Sequence, residues 1–247
     1  MNLTGKAALI TGGAVRVGRA LTLALAGAGC DVFIHYGRSA GPAQQTKADA
    51  EVLGVRAAIH SANLADAAAV QAVVPAAVEQ LGRLDILINS AAVFPEEDAF
   101  EGTSADLWDT LFAVNLRAPF LLSQAFAAQA AEGNVSVGGK IINIIDARVR
   151  RPAPDHFAYR LTKGGLWQMT EMMAHALAPR MTVNGVALGA ILPPPGQDER
   201  YLEELAQSRV PLRRAGSSDI VAENVLHLLR QDFLTGVVIP IDGGEFL

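Results

Sequence analysis

Short runs of aliphatic and β-branched residues recur along the chain, separated by longer alanine-rich stretches. Each run is continuously apolar over the four to eight residues usual for a strand that is buried on both faces. A strand with one face in solvent would instead alternate apolar and polar positions. Seven runs are predicted to be strands: Ala7–Thr11, Asp31–Tyr36, Val55–His60, Asp85–Asn89, Lys140–Ile145, Met181–Ala187 and Gly236–Ile241.

The stretches between these runs carry apolar residues at helical spacing, as in Ala65–Leu81 and Ser217–Arg230. Strands that alternate with helices form a parallel sheet with helices on both faces. No change in composition and no linker divides the chain. We therefore expect residues 1–247 to form a single α/β domain with a doubly wound, seven-stranded and mostly parallel sheet.

Two helical stretches, Leu107–Ala131 and Phe157–Ala178, are apolar on more than one face. A helix on the surface of a monomer normally keeps one polar side toward water. Deep burial within the subunit would account for this pattern. Because both stretches share it, we favour an interface between subunits and expect a homo-oligomer, either a dimer or a tetramer.

Composition and charge narrow the class of protein. Of the 247 residues, 51% are hydrophobic and 18% are charged, and the net charge is −5. A mildly acidic chain without a dense basic stripe is not expected to bind nucleic acid. The single cysteine, Cys30, excludes an intramolecular disulfide framework, and the five histidines lack the spacing of a metal site. Without a visible secretory signal or an uncharged run of ~18–20 apolar residues, we expect a soluble, cytoplasmic protein.

The first predicted strand runs directly into Thr11-Gly12-Gly13-Ala14-Val15-Arg16-Val17-Gly18. Glycines let the chain turn sharply there and let a pyrophosphate lie against the N-terminus of a helix that begins near Arg16. An ordinary tight turn between a strand and a helix would also use glycine. The candidate cofactor-binding residues of this loop are Gly12, Arg16, Val17 and Gly18.

The end of the second predicted strand indicates which dinucleotide would bind. A site for NAD normally places Asp or Glu about 20 residues after the glycine loop, where the carboxylate accepts a hydrogen bond from the ribose 2′-hydroxyl. This chain has Tyr36, Arg38 and Ser39 there and no acidic residue. A guanidinium and a hydroxyl suit a 2′-phosphate dianion, so the expected cofactor is NADP(H).

Tyr159 and Lys163 are the main candidates for catalysis. They are four residues apart and therefore on one face of the helix that follows the fifth strand. A phenol with its ordinary pKa near 10 is a poor acid–base catalyst at neutral pH. An ammonium about 4 Å away would contribute roughly 4 kcal/mol, which would bring that pKa toward ~7. We expect Tyr159 to transfer the proton and Lys163 to lower its pKa.

The order of these motifs from Gly5 to Gly244 resembles the short-chain dehydrogenase/reductase family, with Arg16 where the middle glycine of the family's loop usually lies. The resemblance implies a Rossmann-type fold, proton transfer by Tyr159, and contact of Lys163 with the nicotinamide ribose. It also implies a relay water at Asn115. Residues after the third and fourth strands would contact the cofactor: Asn63, Leu64, Ser90 and Ala91.

Departures from the common family pattern indicate a subgroup. Asp146, at the end of the fifth strand, replaces the family's catalytic serine. Together with Arg16 and the segment His-Tyr-x-Arg-Ser, it resembles the pteridine reductases, which include bacterial dihydromonapterin reductases. This implies that Arg16 contacts cofactor phosphate and pterin, that Asp146 supports protonation of a ring nitrogen, and that an aromatic residue, here Phe94, stacks on the pterin. Simple packing at the rim is the alternative for Phe94.

Three positions depart from that subgroup: Ser90 replaces an asparagine, Ala92 replaces a serine, and Ala187-Leu188-Gly189 lacks a proline. We expect an NADPH-dependent reductase that delivers hydride to a C=N bond of a dihydropterin or dihydrofolate. The alternative is an NADPH-dependent carbonyl reductase acting on a ketone such as a 3-oxoacyl thioester. A non-catalytic NADP(H)-binding sensor is a third hypothesis, which the intact Tyr159/Lys163 pair disfavours.

The regions around the predicted active site carry further candidates. Residues 188–208, which include Pro193–Pro195, are long enough to form a lid over a small-molecule substrate. Arg148, Arg150 and Arg151 are interpreted as a solvated charge run, with attraction of an anionic substrate as the alternative. His156 is expected to face solvent, with a place in the lining of the pocket near Tyr159 as the alternative.

Overall fold

The computed structural model describes residues 1–131, 138–194 and 196–247. Its strands are β1 (Ala7–Thr11), β2 (Asp31–Tyr36), β3 (Ala57–Ser61), β4 (Ile86–Asn89), β5 (Gly139–Asp146), β6 (Met181–Leu188) and β7 (Val238–Ile241). They form one sheet in the order β3-β2-β1-β4-β5-β6-β7, and each neighbouring pair is parallel. The predicted doubly wound, seven-stranded fold is confirmed.

Helices cover both faces of this sheet. The described α-helices are α1 (Arg16–Gly27), α2 (Ala40–Val52), α3 (Ala67–Leu81), α4 (Ala105–Phe112), α5 (Ala118–Ala131), α6 (Phe157–Leu177), α7 (Glu199–Arg209) and α8 (Ser218–Arg230). One apolar core lies between the sheet and α1, α2 and α8, and a second lies between the opposite face and α3, α5 and α6. Because both faces are covered, the strands are continuously apolar, as the sequence pattern indicates.

Three strands begin later than predicted, β3 and β7 by two residues and β4 by one, at Ile86 instead of Asp85. β3 does not include Val55, because Arg56 bonds to the carboxylate of Asp31 through its backbone N–H and its guanidinium, at 2.8 and 2.9 Å. β7 does not include Gly236, whose positive φ of 76° is incompatible with an extended strand. The residue at which strand pairing starts thus depends on local hydrogen bonds and backbone angles. The pattern of apolar residues along the sequence does not indicate either of these.

The predicted helix Leu107–Ala131 is interrupted. A π-helical turn at Ala113–Arg117 separates α4 from α5 and contains the fully buried Asn115. The stretch Ala105–Gln129 is long and apolar enough, by length and composition, to cross a membrane, but half of its most apolar window is buried inside the fold. Burial of this extent is also what a core helix shows.

The predicted lid at 188–208 combines several pieces of structure. β6 ends at Leu188, an irregular connection follows, and α7 begins at Glu199. Pro195, within the predicted lid, lies outside the described residues. Whether this segment closes over a substrate stays a prediction.

The parallel sheet brings the predicted functional loops to one edge. All seven strands run in the same direction, so their carboxyl ends lie together. β1 pairs with β2 on one side and with β4 on the other, so the strand order reverses at β1. In open α/β sheets, ligands bind in the crevice beyond the strand ends at this reversal.

Candidate active site

The glycine loop packs so closely that side chains would not fit. A Cβ at Gly18 would collide with the carbonyl oxygen of Gly12. Gly12 itself has a positive φ of 65°, and a Cβ there would lie 3.0 Å from the Cα of Ala91. The loop therefore needs glycine at both positions, and it approaches the segment after β4 at backbone distance.

The segment after β4 is held against β1 by one hydroxyl. The Oγ1 of Thr11 accepts hydrogen bonds from the backbone N–H groups of Ser90 and Ala91, at 2.9 and 3.0 Å. The two segments that were predicted to flank a dinucleotide are thus joined directly.

Arg16 connects the glycine loop to the predicted lid. It is the first residue of α1, it has a positive φ of 53°, and its exposed guanidinium donates a 2.6 Å hydrogen bond to the carbonyl of Pro193. Among the described residues, no side chain caps the N-terminus of α1. The unpaired N–H groups of such a helix end favour an anion.

The residues after β2 and β3 offer further groups to a nucleotide. Arg38 is exposed, and Ser39 precedes α2, at whose N-terminus the helix dipole favours a negative charge. Asn63 is exposed, and its Oδ1 accepts a 3.1 Å hydrogen bond from the N–H of Ala65. Leu64 is buried in the core, so only its backbone is available to a ligand.

Tyr159 and Asp146 meet at the carboxyl end of β5. The hydroxyl of Tyr159 donates a 3.2 Å hydrogen bond to Oδ2 of Asp146. Burial raises the pKa of Tyr159 well above its usual value, and the negative charge of Asp146 raises it further, while Arg148 opposes the shift. Tyr159 is therefore fully protonated at neutral pH in this state of the site.

Lys163 lies on the same helical face as Tyr159, and its ammonium group is buried. It is only 3% exposed, its Nζ donates a 2.9 Å hydrogen bond to the carbonyl of Ile144, and it lies 5.9 Å from the centroid of the Tyr159 ring. Burial lowers the pKa of Lys163 to about 8, with a partial offset from Asp146. The cation that opposes the rise in the Tyr159 pKa is Arg148, and a contribution of Lys163 stays a prediction.

The side chain of Asn115 holds the loop that carries Phe94. Its Oδ1 accepts from the N–H of Val93 at 2.8 Å, and its Nδ2 donates to the carbonyl of Val93 at 2.9 Å. A weaker 3.4 Å contact reaches the hydroxyl of Thr162 on α6. Asn115 thus ties the π-helical turn to the segment after β4, and a role in relaying a proton through water stays a prediction.

Phe94 lies in the site, next to the predicted proton donor. Its ring meets the edge of Tyr159 with centroids 5.0 Å apart, and His156 packs on it at 4.6 Å. The guanidinium of Arg148 lies over the same ring, 5.3 Å from its centroid. Arg148 also pairs with Asp146, with a separation of 3.6 Å between Nε and Oδ1.

Two interpretations from the sequence are therefore wrong. Arg148 is not part of a solvated charge run, because it pairs with Asp146 and covers Phe94. His156 is half-buried against Phe94, with a positive φ of 49°. Burial lowers the pKa of His156, and Arg148 lowers it further. The position of Arg148 two residues after Asp146 was the signal available in the sequence.

Two carboxylates near the site were missed altogether. Asp98 is buried and accepts hydrogen bonds from the N–H groups of Ala158 and Tyr159, at 3.1 and 2.7 Å, so it caps the catalytic helix from outside. Glu245, near the C-terminus, lies against Gly189 at the end of β6. Burial raises the pKa of Glu245, and its other charged neighbours include Arg148 and Asp146. Neither residue belongs to a motif that sequence reading would single out.

Comparison with known proteins agrees with this geometry. Residues 13–245 match a family model described as enoyl-(acyl carrier protein) reductase. The chain is 32% identical to an L-rhamnose 1-dehydrogenase (NAD(P)(+)) of Sphingomonas sp. (strain SKA58), and the match covers 99% of this chain and 98% of the relative.

Solved structures with the same fold include two NADP complexes. FolM alternative dihydrofolate reductase 1 from Brucella canis superposes with a TM-score of 0.92 at 33% identity, over 99% of this chain and 95% of that chain. A short chain dehydrogenase from Burkholderia cenocepacia J2315 superposes with a TM-score of 0.91 at 33% identity, over 100% of both chains. The fold, the site at the carboxyl edge and these matches together show that the chain belongs to the short-chain dehydrogenase/reductase family of oxidoreductases.

Proposed function

We propose that the protein is an NADPH-dependent reductase that reduces a C=N bond of a dihydropterin or dihydrofolate. The observation that carries this proposal is the 3.2 Å hydrogen bond between Tyr159 and Asp146. A carboxyl group stands where the family usually has serine, so the site holds a second group able to carry a proton to a ring nitrogen. The likeness to a dihydrofolate reductase of Brucella canis supports the same substrate class.

The residues at the carboxyl edge fit NADP(H). The glycine loop packs tightly on itself and against Ala91 because Gly12 and Gly18 lack a Cβ, and a pyrophosphate would lie against the N-terminus of α1 that follows it, which no side chain among the described residues caps. Arg38 and Ser39 stand at the N-terminus of α2, where a 2′-phosphate would meet positive charge. When bound, this cofactor supplies the hydride. The other residues proposed to contact it are Arg16, Val17, Tyr36, Asn63, Leu64, Ser90, Ala91, Tyr159 and Lys163.

Tyr159 and Asp146 would together supply the proton to the ring nitrogen of the substrate. Burial and the charge of Asp146 keep Tyr159 protonated, so it enters the reaction as a donor. Loss of that proton would place a phenolate beside a carboxylate, which is unfavourable unless a proton returns. The requirement is met when a proton from solvent reaches the pair as the ring nitrogen takes one, so that a single negative charge remains, stabilised by Arg148 and Lys163.

A ketone is the second candidate substrate class. Arg148 and His156 already pack against Phe94, so a pterin that stacks on this ring would have to displace one of them or use the other face. The likeness to a relative named as an L-rhamnose 1-dehydrogenase supports this second class. A carbonyl reductase would need only Tyr159 as donor.

The subunit is proposed to associate through α5 and α6. Phe120 and Met172 are 46% and 64% exposed, and they line one shallow apolar groove with Leu116 and Met169. Deep burial within the subunit therefore does not account for the apolar residues on this face. The predicted homo-oligomer would cover it. A cytoplasmic location, where NADPH is available, fits the proposed reaction.

Arg38 should determine the choice of cofactor. We expect the parent protein to prefer NADPH to NADH by at least about tenfold in kcat/KM. Arg38→Asp should erase or invert this preference, because a carboxylate repels the 2′-phosphate. Arg180→Asp makes the same charge change at the opposite edge of the sheet and should leave the preference unchanged. Equal kcat/KM for the two cofactors in the parent would disprove the assignment.

Tyr159→Phe keeps the ring and removes the hydroxyl alone. We expect kcat to fall by at least about 10²-fold, as for loss of a general acid, with little change in the Kd for NADPH. Thr182→Val removes a hydroxyl near the amino end of β6, away from the site, and serves as the control that should behave like the parent. If Tyr159→Phe retained more than about a tenth of kcat, another group would be the main proton donor.

Asp146 distinguishes the two substrate classes. Asp146→Ser restores the residue common in the family and should lower kcat/KM for a dihydropterin by roughly 10²-fold, while ketone turnover stays equal or improves. Asp146→Asn should behave like the serine variant toward pterins. Both changes remove the charge that raises the pKa of Tyr159, so that pKa falls. The test is kcat/KM for both substrate classes in all three proteins from pH 5 to 8.

If Asp146→Ser reduced a dihydropterin as fast as the parent does, ketone reduction would become the proposed reaction in place of imine reduction. A parent protein that reduces ketones far better than any pterin would lead to the same revision.

Phe120→Glu should disrupt the oligomer, because a carboxylate would be buried against an apolar partner surface. Light scattering after gel filtration should show the mass of a multimer for the parent and that of a monomer for the variant. Val52→Glu, at a more exposed apolar position at the end of α2, should leave the mass unchanged. A monomeric parent would refute the interface.

A further inference from the structure

His35 is a buried side chain at the carboxyl edge of the sheet, and it lies outside the residues proposed to contact the cofactor or the substrate. It is the penultimate residue of β2 and is only 2% exposed. In the sheet it lies between Thr11 of β1 and His60 of β3. It directly precedes the segment from Tyr36 to Ser39 that is proposed to bind the 2′-phosphate. Its ring is therefore surrounded by the elements of the proposed cofactor site.

Both ring nitrogens of His35 bond to the backbone of loops. Its Nδ1 accepts a hydrogen bond from the N–H of Gly12, with 3.3 Å between the nitrogens. Its Nε2 lies 3.0 Å from the carbonyl oxygen of Ala62. Because a carbonyl oxygen only accepts, Nε2 must carry the hydrogen and Nδ1 must be the acceptor. The two contacts therefore select one neutral tautomer, in keeping with the burial that lowers the pKa of His35 to about 4.

The two loops held by this ring are the two walls of the proposed adenosine site. Gly12 starts the glycine loop, and Ala62 comes directly before Asn63 and Leu64. Backbone hydrogen bonds from Gly13 to the carbonyl of His35, at 3.1 Å, and from Ala62 to the carbonyl of Tyr36, at 3.2 Å, complete the connection. No aliphatic or phenyl side chain would pair with both Gly12 and Ala62.

We propose that His35 is a positioning residue that sets the distance between the glycine loop and the loop after β3, and thereby the affinity for the adenosine 2′-phosphate half of NADP(H). This inference rests on the proposed cofactor. It assigns no contact between His35 and the reacting atoms. Loss of the imidazole should therefore weaken cofactor binding while leaving the chemical step intact.

The test compares His35→Phe with His60→Phe. His60 is the neighbour of His35 on β3; it stacks on Phe33, and its ring makes no bond to either loop within the described residues. We expect His35→Phe to raise the Kd for both NADPH and 2′,5′-ADP about tenfold and by the same factor. The KM for NADPH should rise with them, while kcat at saturating NADPH should stay within about twofold of the parent. His60→Phe should match the parent in all four quantities.

A second measurement uses the unaltered protein, in case His35→Phe does not fold. Nitrogen-15 spectra of the histidine rings should show His35 as the neutral tautomer with hydrogen on Nε2, and its signals should shift when 2′,5′-ADP is added. A hydrogen on Nδ1, or His35 signals that do not shift when 2′,5′-ADP is added, would overturn the inference. So would a His35→Phe variant that binds NADPH as the parent does. If the parent binds neither nucleotide, the proposed cofactor fails, and this inference fails with it.

Discussion

The parallel sheet is covered by helices on both faces, so a polar side chain has no place in the interior unless it is paired. The groups that can act on a ligand therefore collect where the strands end. At that edge the loops must approach at backbone distance. Gly12 and Ala91 allow this approach, and the hydroxyl of Thr11 holds it by accepting two hydrogen bonds. The proposed cofactor site depends on this contact.

The charges around Tyr159 oppose one another. Burial and Asp146 favour the protonated phenol, whereas Arg148 favours the phenolate. Asp146 is itself held by Arg148, through an ion pair and through the N–H of Arg148, which donates to Oδ1 at 2.8 Å. The site therefore contains a proton donor, a carboxylate and a cation in contact. Such an arrangement can give a proton to a substrate and stabilise the negative charge that is left behind.

Buried hydrogen bonds hold the elements that carry these charges. The amide of Asn89 on β4 donates to Asn143 on β5 at 2.8 Å, and Asn143 donates to Thr170 on α6 at 2.9 Å. Asp98 caps α6 by accepting from the N–H groups of Ala158 and Tyr159, and Asn115 holds Val93. Asn143 and Asp98 bond to α6 directly, and Asn115 also reaches it through a 3.4 Å contact with Thr162. The position of Tyr159 is thus set from several sides at once.

The sequence by itself determined the strands, the single α/β domain, the glycine loop, the absence of an acidic residue after β2 and the shared helical face of Tyr159 and Lys163. These features depend on residues close together in the chain. Tertiary structure decided that Arg148 covers Phe94, that Asp98 caps α6 and that the pKa of Tyr159 is raised. Those outcomes depend on burial and on distances between groups that lie far apart in the chain, and neither quantity is encoded in local spacing.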